Sequence, residues 1–169
     1  MFPDAGRILL FRQGKSTSLA PSDVRLVGHW SIVPMYPESW KRLENGTFSD
    51  GDLRIEDIPH IYLADDYDVY ISSVGIKKEY RHSTSFTILL DSILGALQAY
   101  AQNGIFFREL RAHAINYEGE ALCRGAGFRK MSDHISIGSI YALHTSPLPD
   151  RRYLYRWPHL KRLYDEHFG

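Results

Sequence analysis

The sequence predicts a mixed α/β fold of the α+β kind, a central sheet with helices packed on it. Three observations predict it. β-branched and aromatic runs precede, separate and follow two strongly periodic helical segments; no internal repeat or low-complexity tract interrupts them; and 169 residues, 44% of them hydrophobic and 24% charged, suffice for one core. A chain of this size buries roughly 70% of the surface that it exposes when unfolded, without help from disulfides or a structural metal.

Arg7 to Gln13 (RILLFRQ) and Val24 to Met35 (VRLVGHWSIVPM) read as two strands of a hairpin joined by the loose connection GKSTSLAPSD. Pro37 to Asn45 starts with proline at a first helical position, stops at Gly46 and sets Trp40 and Leu43 on one side, which predicts a short helix. HIYLADDYDVYISSVGI offers one or two strands, the second from Asp68 to Ile76. Phe86, Leu89, Leu90, Ile93, Leu97, Tyr100 and Ala101 recur at three- and four-residue spacing and form the apolar stripe of a helix, with Ser83, Thr84 or Ser85 to cap its start and Gly104 its end. IFFRELRAHA follows as a strand, and Asn116 caps a helix that closes at Gly127. Ser136 to Thr145 is a further strand, and Pro158 to Phe168 an amphipathic helix through Leu160, Leu163, Tyr164, His167 and Phe168.

Lys and Arg number 20, Asp and Glu 20, so no global field draws nucleic acid, an anionic membrane or an acidic partner. The tail RRYLYRWPHLKR interleaves cations with rings, a pattern that can track RNA; at zero net charge the expectation is rings on the core and charges in water. Cys123 is the only cysteine, which excludes an intrachain disulfide and a thiolate zinc site and suits a reducing cytoplasm. The opening MFPDAGRILLFRQGK lacks a signal-peptide pattern and no stretch reaches about 20 apolar residues, so a cytoplasmic protein with no membrane segment is expected. His60, Asp65, Asp66 and Asp68 match no metal coordination pattern, and the other histidines form no HxxxH or HExxH pair. A solvated acidic loop, or a patch for a cationic amine, fits HIYLADDYD better.

Chemistry concentrates in one strand, polar turn and helix: VYISSVGI, KKEYRHSTS, FTILLDSILGALQAYAQNG. A helix emerging from a short polar turn presents unpaired amides and the positive end of its dipole, a place for phosphate. Ser83, Thr84 and Ser85 add hydroxyls there, and Lys77, Lys78 and Arg81 add charge.

This segment resembles the acyl-CoA-binding motif of the GNAT superfamily of N-acyltransferases, V-x-P-x-x-[QR]-x-x-G-x-[GA] leading into a helix that begins x-x-L-L. Ile76 takes the valine place, Lys78 the proline, Arg81 the [QR], and Leu89 and Leu90 the helical pair. NYEGEALCRGAGF resembles that family's N-x-x-A-x-x-x-Y-x-x-x-G-F segment, with Asn116, Gly119, Cys123, Gly127 and Phe128 in those places. The likeness covers Val69 to Phe128, and Ser139 to Thr145 suits the family's last strand. Thr84 and Phe86 stand where the family has glycines, Cys123 where many members have tyrosine. RILLFRQ begins where a strand and one or two helices are usual: either the chain starts late or its topology is rearranged, and a partner protomer in a homodimer is one source of the missing edge.

The resemblance implies a GNAT-like, mostly antiparallel central sheet flanked by helices. It divides one domain, 1–169, into a hairpin and helical part (1–67), an acyl-CoA-binding core (68–128) and C-terminal strands and helix (129–169). It implies an N-acetyltransferase that moves an acetyl group from acetyl-CoA to an amine acceptor of open identity. Pantetheine is expected along Val74, Gly75 and Ile76, one of whose amides polarises the thioester, and pyrophosphate at Arg81, His82, Ser83, Thr84, Ser85 and Phe86. Asn116 joins the cofactor set. Cys123 is the expected acid for the leaving thiolate, with Tyr117 and Tyr141 as alternatives. The expected base is His113, near the end of its strand; Glu109 and the cluster Asp65, Asp66 and Asp68 are alternatives. Loss of both motif glycines and of the tyrosine motivates a second reading, a catalytically inactive CoA-binding or protein-interaction module. A cysteine hydrolase built on Cys123 lacks any surrounding pattern, since ALCRGAGF reads as a helix end.

Overall fold

A computed structural model of the chain describes residues 6–12, 24–59, 63–81 and 84–169. β1 (Gly6–Arg12), β2 (Val24–Pro34) and β3 (Asp66–Ile76) form an antiparallel meander, and β4 (Phe106–Ala114) runs parallel to β3. β5 (Arg129–Asp133) lies at the far edge, with β6 (Ser139–His144) between it and β4, antiparallel to both. Among the described residues the result is one mixed, mostly antiparallel sheet of six strands, the sheet class that the resemblance implies.

The strand period of two divides the sheet's side chains between two faces. Val69, Leu110 and Leu143 face a core built with α2 (Ser85–Gln102) and α4 (Pro158–Phe168), to which Leu89, Leu94, Leu97, Leu160 and Tyr164 contribute. α3 (Tyr117–Ala126) covers Ala112 and Ala114 on the same face. Tyr70 and Ile140 face the other way, toward Met35, Phe48 and the buried Trp40 and Leu43 of α1 (Pro37–Glu44). Arg111 anchors α1: its Nη1 donates to the Trp40 carbonyl at 2.9 Å and its guanidinium lies 4.1 Å from the Trp40 ring. A buried guanidinium is tolerable only when paired. Glu109 supplies the partner at 2.6 Å and also receives His144 Nδ1 at 3.0 Å.

Several local expectations change. β5 (RKMSD) carries too little apolar side chain to read as a strand, because as an edge strand it is largely exposed. Phe86, expected on the core stripe of α2, is 41% exposed: the stripe sinks into the core from Leu89 onward, and Phe86 stays at the helix mouth. HIYLADDYD contributes one strand from Asp66; His60 lies outside the described residues. In the tail, Trp157 donates to Asp91 at 3.2 Å and lies against Gly95 of α2, Leu154 is buried, and Tyr155 is exposed. Among the described residues no helix is long and apolar enough to cross a membrane.

Two loops meet on the α1 face. Ile135 N–H donates to the Gly46 carbonyl at 3.0 Å, and Gly138, at φ +77°, brings the chain back so closely that a Cβ there would stand 2.2 Å from the Ala114 oxygen.

Candidate active site

β3 and β4 pair only as far as Ile71 and Ala112; beyond that point β3 continues against β2 alone, to Ile76 opposite Gly28. At the parting, β3 carries an extra residue, Ser72, between the pairs Ile32–Ile71 and Ser31–Ser73. Such a bulge bends its strand and leaves one residue out of the ladder. Lys77 N–H donates to the Val27 carbonyl at 2.8 Å, so by strand alternation Gly75 turns its polar groups toward β2, and Val74 and Ile76 turn theirs toward the gap. The Ile76 carbonyl accordingly receives Arg81 Nε at 3.2 Å.

A cavity of about 700 Å³ fills the gap, well within the range of small-molecule sites. Residues from both faces of the sheet line it. Leu89, Ile93, Leu97, Leu122 and Phe128 form an apolar wall on the helix side, whereas Asp50, Ser73 and His113 belong to the α1 side. It passes through the sheet.

The expected cofactor residues fall around this gap. Val74, Phe86 and Asn116 line the cavity, and Gly75 and Ile76 extend the strand beyond it. Residues Lys78–Tyr80 form a 3₁₀ turn, Thr84 takes the N-cap position of α2 without a side-chain capping bond, and Ser85 is buried. Lys77, Lys78 and Arg81 are exposed beside this turn. Asn116 spends its Oδ1 on α3, accepting from Gly119 N–H at 2.8 Å. His82 and Ser83 lie outside the described residues.

Cys123 and His113 line the same cavity. Cys123 is packed against Ala112, Ala114 and Tyr141. Burial, assisted by the Glu120 carboxylate and only partly offset by Arg124, pushes its thiol up to about 11. Tyr117 is exposed outside the cavity lining, and the buried Tyr141 hydroxyl accepts from Arg124 at 3.2 Å.

His113 Nε2 lies 2.6 Å from the Ile137 carbonyl. A carbonyl only accepts, so that nitrogen carries a proton, which in a neutral ring leaves the lone pair on Nδ1. The ring stacks on His134, centroids 4.2 Å apart. His134 is itself pinned: Nε2 donates to the Phe48 carbonyl at 3.1 Å, and Nδ1 receives Ser136 N–H at 3.2 Å.

The alternative bases are placed elsewhere. Glu109 is held by Arg111 and His144. Asp66 and Asp68 sit at the start of β3, the opposite end from the gap, where they pair with His167 at 2.6 Å and Arg108 at 2.9 Å; Asp65 accepts from Asp66 N–H at 2.8 Å. Asp66 and Asp68 are thus engaged by side chains of the chain itself. Sequence reading missed Asp50, Ser72, His134 and Tyr153, whose hydroxyl donates to the Ala126 carbonyl at 2.8 Å while its ring lines the cavity. None carries a local signal, because contacts between elements distant in sequence bring each to its place.

No family model matches the chain, and no curated protein matches it. Solved structures do. A complex of KacTA with DNA is 15% identical with a TM-score of 0.47, over 83% of this chain and 67% of its own. AtaTR bound with AcCoA is 10% identical with a TM-score of 0.47, over 75% and 62%. An acetyltransferase from Thermus thermophilus is 17% identical with a TM-score of 0.43, over 71% and 57%. The chain thus spans about six tenths of the last two.

Proposed function

We propose that the chain is an acyl-CoA-dependent N-acyltransferase that moves an acetyl group from acetyl-CoA to an amine. The observation that carries this reading is the gap between β3 and β4, opened at the Ser72 bulge, which runs from the start of α2 into a cavity that crosses the sheet. The residues present fit the donor: a strand edge with outward amides suits an extended amide-bearing arm, and the apolar wall of α2 and α3 suits its hydrocarbon. The first turn of α2, with Arg81, Lys77 and Lys78 beside it, would hold the phosphates.

When bound, acetyl-CoA supplies a thioester: the amine nitrogen bonds to its acyl carbon, the carbon–sulfur bond breaks, and CoA leaves as thiolate. The chain's own groups do the rest. Amides turned into the gap from the bulge and Val74 polarise the carbonyl. His113 Nδ1 takes the amine proton and returns it to solvent, its ring held by the Ile137 carbonyl and the His134 face. Cys123, at about 11, lies above the ordinary thiol value of 9.0, so proton transfer from it to the thiolate runs uphill; it acts as cavity wall.

Calorimetric titration with acetyl-CoA tests the reading. Micromolar binding is expected, weakened about tenfold or more in Arg81→Glu, which sets a carboxylate beside the phosphates. No binding at millimolar ligand overturns it. Binding without transfer to any amine leaves the inactive CoA-binding module.

A further inference from the structure

We propose that Asp50 is the acceptor's recognition residue: its carboxylate, held at the α1-side mouth of the cavity by the buried Tyr70 hydroxyl, binds the protonated ammonium of a primary amine whose remainder is apolar. The inference rests on the transferase reading for its place in a reaction; binding of the cation is a separate measurement.

The turn that carries Asp50 is built. Ser49 N–H and Oγ both donate to Asp52 Oδ2, at 2.9 and 2.7 Å, and close residues Asp50–Asp52 into a 3₁₀ turn. Tyr70, buried on the α1 face of β3, donates its hydroxyl to Asp50 Oδ1. One oxygen is thereby fixed, and the second has no hydrogen-bond or ion-pair partner among the described residues. Other carboxylates of this molecule have found cations: Asp57 has Arg42, Asp68 has Arg108, Asp91 has Arg156 and Glu109 has Arg111. Arg42, on α1, lies over the Phe48 ring and toward Asp57. Asp50 has none within 4 Å among the described residues, yet it lines a cavity whose wall is otherwise mostly apolar.

Asp50 is itself exposed, and a carboxylate set where solvent meets a mostly apolar wall attracts a cation more strongly than one wholly surrounded by water. His113 lines the same cavity, so an ammonium held at Asp50 lies in the compartment where the proposed base takes its proton. Ile115, more than half exposed and also lining the cavity, gives an apolar landing for the body of the acceptor. A neutral alcohol of the same shape gains nothing from the charge. Discrimination therefore falls on the ammonium.

The test titrates the wild-type chain, with and without CoA, using hexylamine and hexan-1-ol near neutral pH. Saturable binding of hexylamine, about tenfold or more tighter than hexan-1-ol, is expected, and Asp50→Asn should weaken it by a similar factor. Equal binding of amine and alcohol, an unchanged affinity in a folded Asp50→Asn, or no saturable hexylamine binding overturns the proposal. Should Asp50→Asn fail to fold, the amine-to-alcohol ratio on the wild type decides alone. Acetyl-CoA titration on the same sample separates the two readings, since the amine can bind Asp50 whether or not the donor site exists.

Discussion

In the proposed mechanism, His113 owes its role as base to the atoms around it. A lone imidazole in a strand can present either nitrogen; here the Ile137 carbonyl takes the Nε2 position, so Nδ1 is the nitrogen left for the amine. His113→Asn should lower kcat by about 10²–10⁴-fold with acetyl-CoA affinity unchanged, and an unchanged kcat would remove the histidine from the mechanism. Cys123 makes a different claim. Its thiol rises from 9.0 to about 11, so the neutral form is favoured in the folded state. Below pH 9 both states keep the proton and nothing is gained or lost; above it the unfolded chain ionises first, and stability falls until about pH 11. Between pH 7.5 and about 10.5 the loss is about 2 kcal/mol. Urea unfolding of wild type and Cys123→Ala at the two pH values should show a drop larger by that amount in the wild type; equal drops would refute it. Sequence reading reached these two residues because a family motif or a histidine's own chemistry flags them, whereas Asp50, in a Gly- and Asp-rich stretch, looks like any solvated turn.

At the scale of elements, the loop between β5 and β6 does more than connect strands. Gly138 has φ +77°, and a Cβ there would strike the Ala114 oxygen at 2.2 Å. Gly138→Ala should destabilise the chain by about 2 kcal/mol or more in urea unfolding. Because the adjacent Ile137 carbonyl holds His113, kcat should fall further than that change in stability accounts for, with acetyl-CoA affinity retained. A stable variant with full activity would contradict both. The helices were legible from apolar spacing and caps: Pro37 opens α1, and Asn116 caps α3 as expected. β5 was not, since an exposed edge strand has no buried face to give it a pattern. Nor was the outward place of Phe86, because periodicity assigns a helix face but not the depth to which its first turn is buried.

For the molecule as a whole, a ligand seated between α2, α3 and the sheet should stabilise the entire fold. At 100 times its Kd, acetyl-CoA should add about 2.7 kcal/mol, which for this chain length is a rise in Tm of about 5–10 °C. Thermal unfolding by circular dichroism reads it, and an unmoved Tm at millimolar ligand would contradict the donor site. The fold class was legible because strand and helix patterns alternate in order. The gap was not, since the end of β3–β4 pairing is a relation between residues some forty positions apart and leaves no local trace.

That residues from both faces of the sheet line the cavity bears on the order of events in the proposed catalytic cycle. Two reactants that arrive through separate doors need not wait for one another, and neither has to leave before the other enters. Initial rates measured against both concentrations should then give intersecting reciprocal lines, with no acyl group parked on the protein between half-reactions.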